Sequence, residues 1–435
     1  MKKAIINTTI YDFEKVLPNA YVVFDEKVEA VGEMRSFTNE GYTLIDGEGH
    51  LTMPTFVVGH THVYSTFARG LNVAFNPRTF RDILEQLWWR LDRHLDNETN
   101  YHSGIVSAVD FAKNGVTTLI DHHASGVDIE GSLSALKSAI CDDAKLRGAF
   151  AFETSDRFDV GEALAENEQF IDEHATSFCR GLFGLHASLS LSEETLKAVK
   201  QRLGNAPIHM HVAESEEDQE DCQRQYGERV VERLARHGLL TPGSILTHAV
   251  HVDRHEIELM KRHGVVVAVC PNSNMNNAVG LPDVKRFLDE GVRVILGNDG
   301  ISTSIASECL ALLYSMHHRY ASPTAFTLDD VKTILDETFR YAGETFGVKL
   351  GRMSPAYEAD LQLLPYVAPT PFHADTAFGH LFFGAFHSFK PRHVFCGGRH
   401  IVKDYEVDGA LRARYDKAQS FARRLWDNIH EEDAL

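Results

Sequence analysis

A chain of 435 residues is too long for one small domain and suits a barrel of about 250 residues carrying an added module. Its hydrophobic content of 43% and charged content of 24% are ordinary for a folded globular protein. The net charge of −19 argues against a nucleic-acid or anionic-membrane partner, because either calls for a basic surface.

The chain opens MKKAIINTTIYDFEKV, two lysines followed by an apolar stretch too short for a secretory h-region. No run reaches the roughly 18 apolar residues of a membrane-crossing helix. Residues 1–52 hold short β-like runs (KAIINTTIYD, AYVVFDEKVEAVG, YTLIDGEGHLT) separated by turn residues. Eight apolar, β-prone segments then follow at 56–62 (FVVGHTH), 117–123 (TTLIDHH), 147–154 (RGAFAFET), 180–188 (RGLFGLHAS), 207–214 (PIHMHVAE), 244–251 (SILTHAVH), 265–274 (VVVAVCPNSN) and 292–299 (VRVILGND). The intervening stretches have helical spacing. NYHSGIVSAVDFAKNG stops at Gly115, and DRHEIELMKRHG has Asp253 to cap it and Gly264 to end it. Near 352–365 and 392–404 the β-like pattern returns, and the last stretch, LRARYDKAQSFARRLWDNIHEEDAL, is helical.

Eight near-continuously apolar strands alternating with helices predict a parallel sheet covered by helices, hence a (β/α)8 TIM barrel over 53–352. A doubly wound sheet fits less well, since no G-x-G-x-x-G follows an early strand. Residues 1–52 and 353–435 are expected to combine into a small composite β-sandwich domain plus a C-terminal helix. No repeat, low-complexity tract or flexible linker interrupts the chain. Six scattered cysteines with no CxxC pair suit reduced thiols, so the expected location is the cytoplasm.

Every predicted strand ends in polar or ionisable residues, the place where a (β/α)8 barrel builds its active site. The spacing of His60 and His62 alone proves little, because chance placement of 24 histidines already accounts for one such pair, and His209/His211 is another. Eight strands that all finish in site chemistry are harder to obtain by chance. Alternate residues of a strand face one way, so His60 and His62 can project into the barrel mouth together, where His211 and Asp299 can meet them. Three imidazoles and one carboxylate suit a divalent ion, Zn2+ by donor type, with Fe2+ or Mn2+ as alternatives. His209 lies two residues deeper and reads as a hydrogen-bonded core residue. Glu214 starts the loop after the fifth strand. It reads either as a proton carrier over the metal or as a solvated acid beside Glu216, Glu217 and Asp218.

Other residues are more ambiguous. His122 and His123 either line a substrate pocket or hydrogen-bond behind it. Trp88 and Trp89 read as packing residues rather than a platform for a planar substrate. Arg69 reads as a structural ion-pair partner, Asn272 to Asn274 as loop ties, and His317 and His318 as surface or packing residues.

Taken together, MPTFVVGHTHVYSTFARG, GLHASLS, HMHVAES, LTHAVHV, PNSNMN and GVRVILGNDG resemble the amidohydrolase superfamily. Its branch of cytosine, guanine and adenosyl-type deaminases and triazine chlorohydrolases is the nearest likeness. The similarity runs over nearly the whole chain. It implies metal ligation by His60, His62, His211 and Asp299, and a catalytic set of Glu214, His248 and Asp299. His248 is expected to hydrogen-bond the attacking oxygen, Glu214 to shuttle protons, and His186, with His123, to contact substrate. No lysine is placed to be carbamylated, so the resemblance implies one metal ion rather than two. It further implies deamination of a purine-like nitrogen heterocycle by a homo-oligomeric enzyme. Hydrolysis of a cyclic amide or another C–N bond without ammonia release is the alternative, and a catalytically silent barrel scaffold a more distant one.

Overall fold

A computed structural model describes residues 2–433. Eight strands follow the predicted segments: β1 (Phe56–Thr61), β2 (Val116–His123), β3 (Arg147–Phe152), β4 (Phe183–Ala187), β5 (Ile208–Val212), β6 (Ile245–His248), β7 (Val266–Val269) and β8 (Arg293–Leu296). Every residue of the first seven is buried, as expected for strands covered on both faces. All pair in parallel. β1 to β3 form one sheet, with a short strand Cys179–Gly181 on its edge, and β4 to β8 form the other.

The two sheets meet at both edges. His186 N donates to Thr154 O at 3.0 Å between β3 and β4, and Asn298 N to His60 O at 3.0 Å between β8 and β1. A glycine sits at each seam. A Cβ on Gly184 would fall 2.1 Å from Phe152 O, and one on Gly59 would fall 2.9 Å from Ile295 Cδ1, so each approach excludes a side chain. The result is a TIM-barrel-like α/β arrangement with the strand C-termini at one end.

Helices start and stop where the sequence signals. Asp96 and Thr99 form a capping box at the start of Asn97–Lys113, and Asp253 and Glu256 form another on Arg254–His263. Gly264 then ends the second helix in the left-handed conformation at φ 65°. One expectation fails. The apolar pattern of the seventh segment predicts strand through Asn274, yet Pro271–Asn276 is helical. Pro271 stands at the first helical turn, where its fixed φ favours helix and its missing N–H costs nothing.

Both chain ends enter one eight-stranded sheet. In order it runs Arg399–Val402, His393–Cys396, Leu361–Leu364, Leu51–Pro54, Lys3–Tyr11, Val16–Phe24 and Val28–Glu33, with Thr43–Asp46 also on Lys3–Tyr11. Fully buried Arg147, at the start of β3, joins this sheet to the parallel strands through the carboxylates of Asp360 and Glu358. The C-terminal helix Gly409–Asp433 packs away from the sheet. Its Ala418, Leu425 and Ile429 cluster with Tyr64, Phe67, Leu91 and Leu95, and Trp426 Nε1 donates to Phe67 O at 2.7 Å. Among the described residues no helix is long and apolar enough to cross a membrane.

Candidate active site

The ends of β1, β5 and β8 bring His60, His62, His211 and Asp299 together, with one ligand atom from each lying within 4.8 Å of all the others. His62 Nε2 is 3.0 Å from both His211 Nε2 and Asp299 Oδ1, and His60 Nε2 is 3.7 Å from Asp299 Oδ1. His62 Nδ1 donates to His122 O at 2.6 Å, which leaves its Nε2 as a lone pair facing the cluster. His60 Nε2 is buried and has no hydrogen-bond partner among the described residues. An orphaned buried nitrogen is costly, and three imidazoles converging on a carboxylate are the donor set of one divalent cation. The residues therefore fit such an ion. A second grouping, His62, His122, Glu153 and His211, shares two of these histidines and so is not an independent site.

Burial alone would raise the Asp299 carboxyl. The close approach of the His60 and His62 rings outweighs it and holds the group well below the ordinary carboxylate range. Ser273 Oγ donates to its other oxygen at 2.5 Å. Asp299 and His248 both adopt left-handed backbone, at φ 55° and 72°. Such strain in non-glycine residues clusters at functional sites, where the surrounding structure over-determines it.

Glu214 is not a solvated acid. β5 ends at Val212, Ala213 turns the chain at φ 48°, and Asp218 secures that turn by accepting from Ala213 N at 3.0 Å. Glu214 is thereby buried in the cavity wall. Its Oε1 accepts from Asn277 Nδ2 at 3.3 Å, and its Oε2 lies 3.4 Å from His248 Nε2. Burial, then the charge of Asp299, pushes its carboxyl well above the usual range. Burial lowers His248 to about 3, so its ring is neutral. Asn274 Nδ2 donates to His248 Nδ1 at 3.0 Å, which puts the ring proton on Nε2, beside Glu214.

The cavity also takes in His186 but not His123. His186 Nδ1 donates to Ser190 Oγ at 2.6 Å while that hydroxyl donates to Ala187 O, leaving Nε2 free to accept, 3.8 Å from Glu153 Oε2. His123, expected to touch substrate, is fully buried behind the wall, edge-on to Tyr64 and Phe152. His122 is also fully buried and stacks on His209 with ring centroids 4.5 Å apart. Arg69 pairs with Asp110 near the surface, and His317, on the helix Ile305–Tyr320, hydrogen-bonds Phe326 O in the loop that follows.

Three features of the wall go beyond what the sequence assigns to it. Trp88 and Trp89 line the cavity, at the end of a π-helical turn at Leu84–Trp88. Asp92 lines it too. It is buried and paired with Arg157, whose guanidinium also lies 4.9 Å over the Trp89 ring. Glu153 reaches the wall from the end of β3, with its carboxyl raised by burial to about 7. Its place at a strand end was the available signal. Among the described residues, no lysine or arginine lines the cavity.

The model of the amidohydrolase family matches residues 51–401. A 5′-deoxyadenosine deaminase of Methanopyrus kandleri is 28% identical over 426 residues, covering 93% of this chain and 94% of the relative. A 5-methylthioadenosine/S-adenosylhomocysteine deaminase of Natronomonas pharaonis is 30% identical over 396 residues, covering 88% and 87%. Among solved structures, an adenosine deaminase from Xanthomonas campestris with bound zinc superposes with a TM-score of 0.83 at 19% identity, covering 97% of this chain and 98% of that one. That likeness concerns the fold.

Proposed function

The chain belongs to the amidohydrolase family, and from that premise we propose that it is a mononuclear, metal-dependent aminohydrolase releasing ammonia from a purine-like nitrogen heterocycle. The observation that carries the reading is the convergence of His60, His62, His211 and Asp299 with a buried Glu214 beside them. Those four residues would hold one divalent ion, Zn2+ by donor type. When bound, such an ion lowers the pKa of water to roughly 7 and polarises the group under attack.

The chain's own residues then divide the proton work. Asp299, kept ionised, accepts a proton from the attacking water, and Ser273 holds its second oxygen. His248 Nε2–H steadies the incoming oxygen. Glu214, kept neutral, donates to the ring nitrogen next to the amidine-type carbon. The tetrahedral carbon collapses as a proton reaches the amino group, so that water and the amine become a carbonyl and ammonia. Phe80, Leu84, Trp88 and Trp89 offer apolar faces to a planar ring, while His186 Nε2 and Glu153 present polar atoms to its edge.

The same proposal takes residues 53–352 as a closed (β/α)8 barrel, with 1–52 and 353–435 as the composite β-domain and C-terminal helix. It includes a cytoplasmic homo-oligomer. Six cysteines, all free and buried, support the reducing compartment.

The test is ammonia release by the zinc-loaded chain from 5′-deoxyadenosine, 5-methylthioadenosine, adenosine and guanine. Turnover should yield one ammonia per product, cease on chelation and return with zinc. Hydrolysis without ammonia, or turnover indifferent to chelation, would refute the proposal.

A further inference from the structure

We infer that His209 is a positioning residue for the metal centre. Its Nε2 accepts the Nδ1–H of His60 and so fixes the tautomer that points the His60 Nε2 lone pair at the ion. The inference rests on the metal site proposed above.

A neutral imidazole carries one proton. Ligation through Nε2 requires that proton on Nδ1, and a buried N–H needs an acceptor. His60 Nε2 faces the ligand cluster, so its Nδ1 faces away, and His209 Nε2 lies there at 2.8 Å. Thr247 Oγ1 is a second neighbour, farther off at 3.3 Å. One proton is shared between the two ring nitrogens. Placed on His209, it would leave His60 with Nε2–H directed at the cluster and unable to ligate. Placed on His60, it frees the lone pair and obliges His209 to keep its own proton on Nδ1. That Nδ1 is buried and has no hydrogen-bond partner among the described residues. The site thus tolerates one orphaned donor in the core, a costly group.

Strand geometry explains why His209 can do this. His209 and His211 share the inward face of β5 at two depths, with His211 in the ligand layer and His209 below it. His209 is fully buried and stacked on His122, which prevents its ring from turning aside. The two HxH segments therefore act as one unit. The first supplies two ligands, and the second supplies one ligand and the acceptor that orients a ligand on the opposite strand. His62 meets the same requirement through the backbone carbonyl of His122. At His60 the acceptor is a side chain, which mutation can remove.

The experiment measures zinc affinity of the full-length chain by competition with a chromophoric chelator, for wild type, His209→Leu, His209→Gln and Thr247→Val. Loss of an outer partner of this kind costs about 10- to 100-fold in metal affinity, so His209→Leu should weaken zinc binding by that factor. His209→Gln, which keeps an acceptor oxygen near the Nε2 position, should recover most of it, and Thr247→Val should bind as wild type does. Should the leucine variant not fold, His209→Met compared with His209→Gln reads the same difference. Wild-type affinity in the leucine variant overturns the inference. Equal losses in the leucine and glutamine variants overturn it as well, since packing would then be the cause, and a Thr247→Val loss matching that of leucine moves the role to Thr247. A wild-type chain that binds no zinc is a separate failure, that of the metal site itself.

Discussion

Replacing Glu214 by glutamine removes the proposed proton donor while preserving nearly everything else. The glutamine has the same volume, and its oxygen can still accept from Asn277 Nδ2, now at 3.3 Å. Glu214 is not one of the four converging ligand residues, so zinc content should not change. What disappears is a transferable proton at a buried position 3.4 Å from His248 Nε2. Positioned general acid–base groups contribute about 10²- to 10⁴-fold. kcat/KM should fall by that factor, equivalent to about 3–5 kcal/mol in the barrier. The loss will not come from unfolding. Burial and Asp299 raise the carboxyl's folded pKa, so the wild type loses stability as pH climbs above the usual carboxylate value, a cost the glutamine variant escapes. The assay is continuous ammonia release at saturating zinc, with metal content measured on the same sample. A chloro-substituted heterocycle, whose leaving group needs no proton, should suffer a smaller loss. A variant that keeps zinc and stays within tenfold of wild type would refute the role assigned to Glu214.

Trp89→Ala removes a cavity face and the ring beneath the Arg157 guanidinium. KM should rise about 2- to 12-fold with kcat largely kept, because a substrate stacking contact is worth roughly 0.5–1.5 kcal/mol. An unchanged KM would make Trp89 a packing residue after all. Glu308, fully buried beneath Asn272, has its carboxyl raised by burial from 4.5 to about 8. The folded chain then keeps a proton that the unfolded chain loses above 4.5, so its contribution to stability is complete below that value and declines as pH rises toward 8. Glu308→Gln cannot titrate. Its melting temperature relative to wild type, measured with chelator present, should increase steadily from pH 5 to 8, and a flat difference would contradict the shift.

The strand sequence was legible because eight short apolar runs, each closing on polar residues, leave few alternatives for a chain with helical spacing between them. The proposed ligand residues were legible for a related reason. Period-two spacing places His60 and His62 on one face whatever the rest of the strand does. Which face lay inward was a different matter. A strand covered by helices on one side and barrel on the other is apolar on both, so its pattern carries no phase information. That is why His123 could be expected in the pocket when its neighbour His122 holds the inward position against His209. The π-helical turn beside Trp88 and Trp89 leaves no periodic trace either.

From its sequence alone, then, this protein's order of elements and its capped helices could be read from local spacing, and the four side chains proposed to hold a cation from their strand-end positions and the family resemblance. Only the tertiary structure decided that Glu214 is buried rather than solvated, that Glu153 and Asp92 reach the cavity, and that His209 lies against His60. Those outcomes depend on which residues distant in the chain come within 3–4 Å of one another, and the tertiary packing of the strands, not any local pattern, determines that.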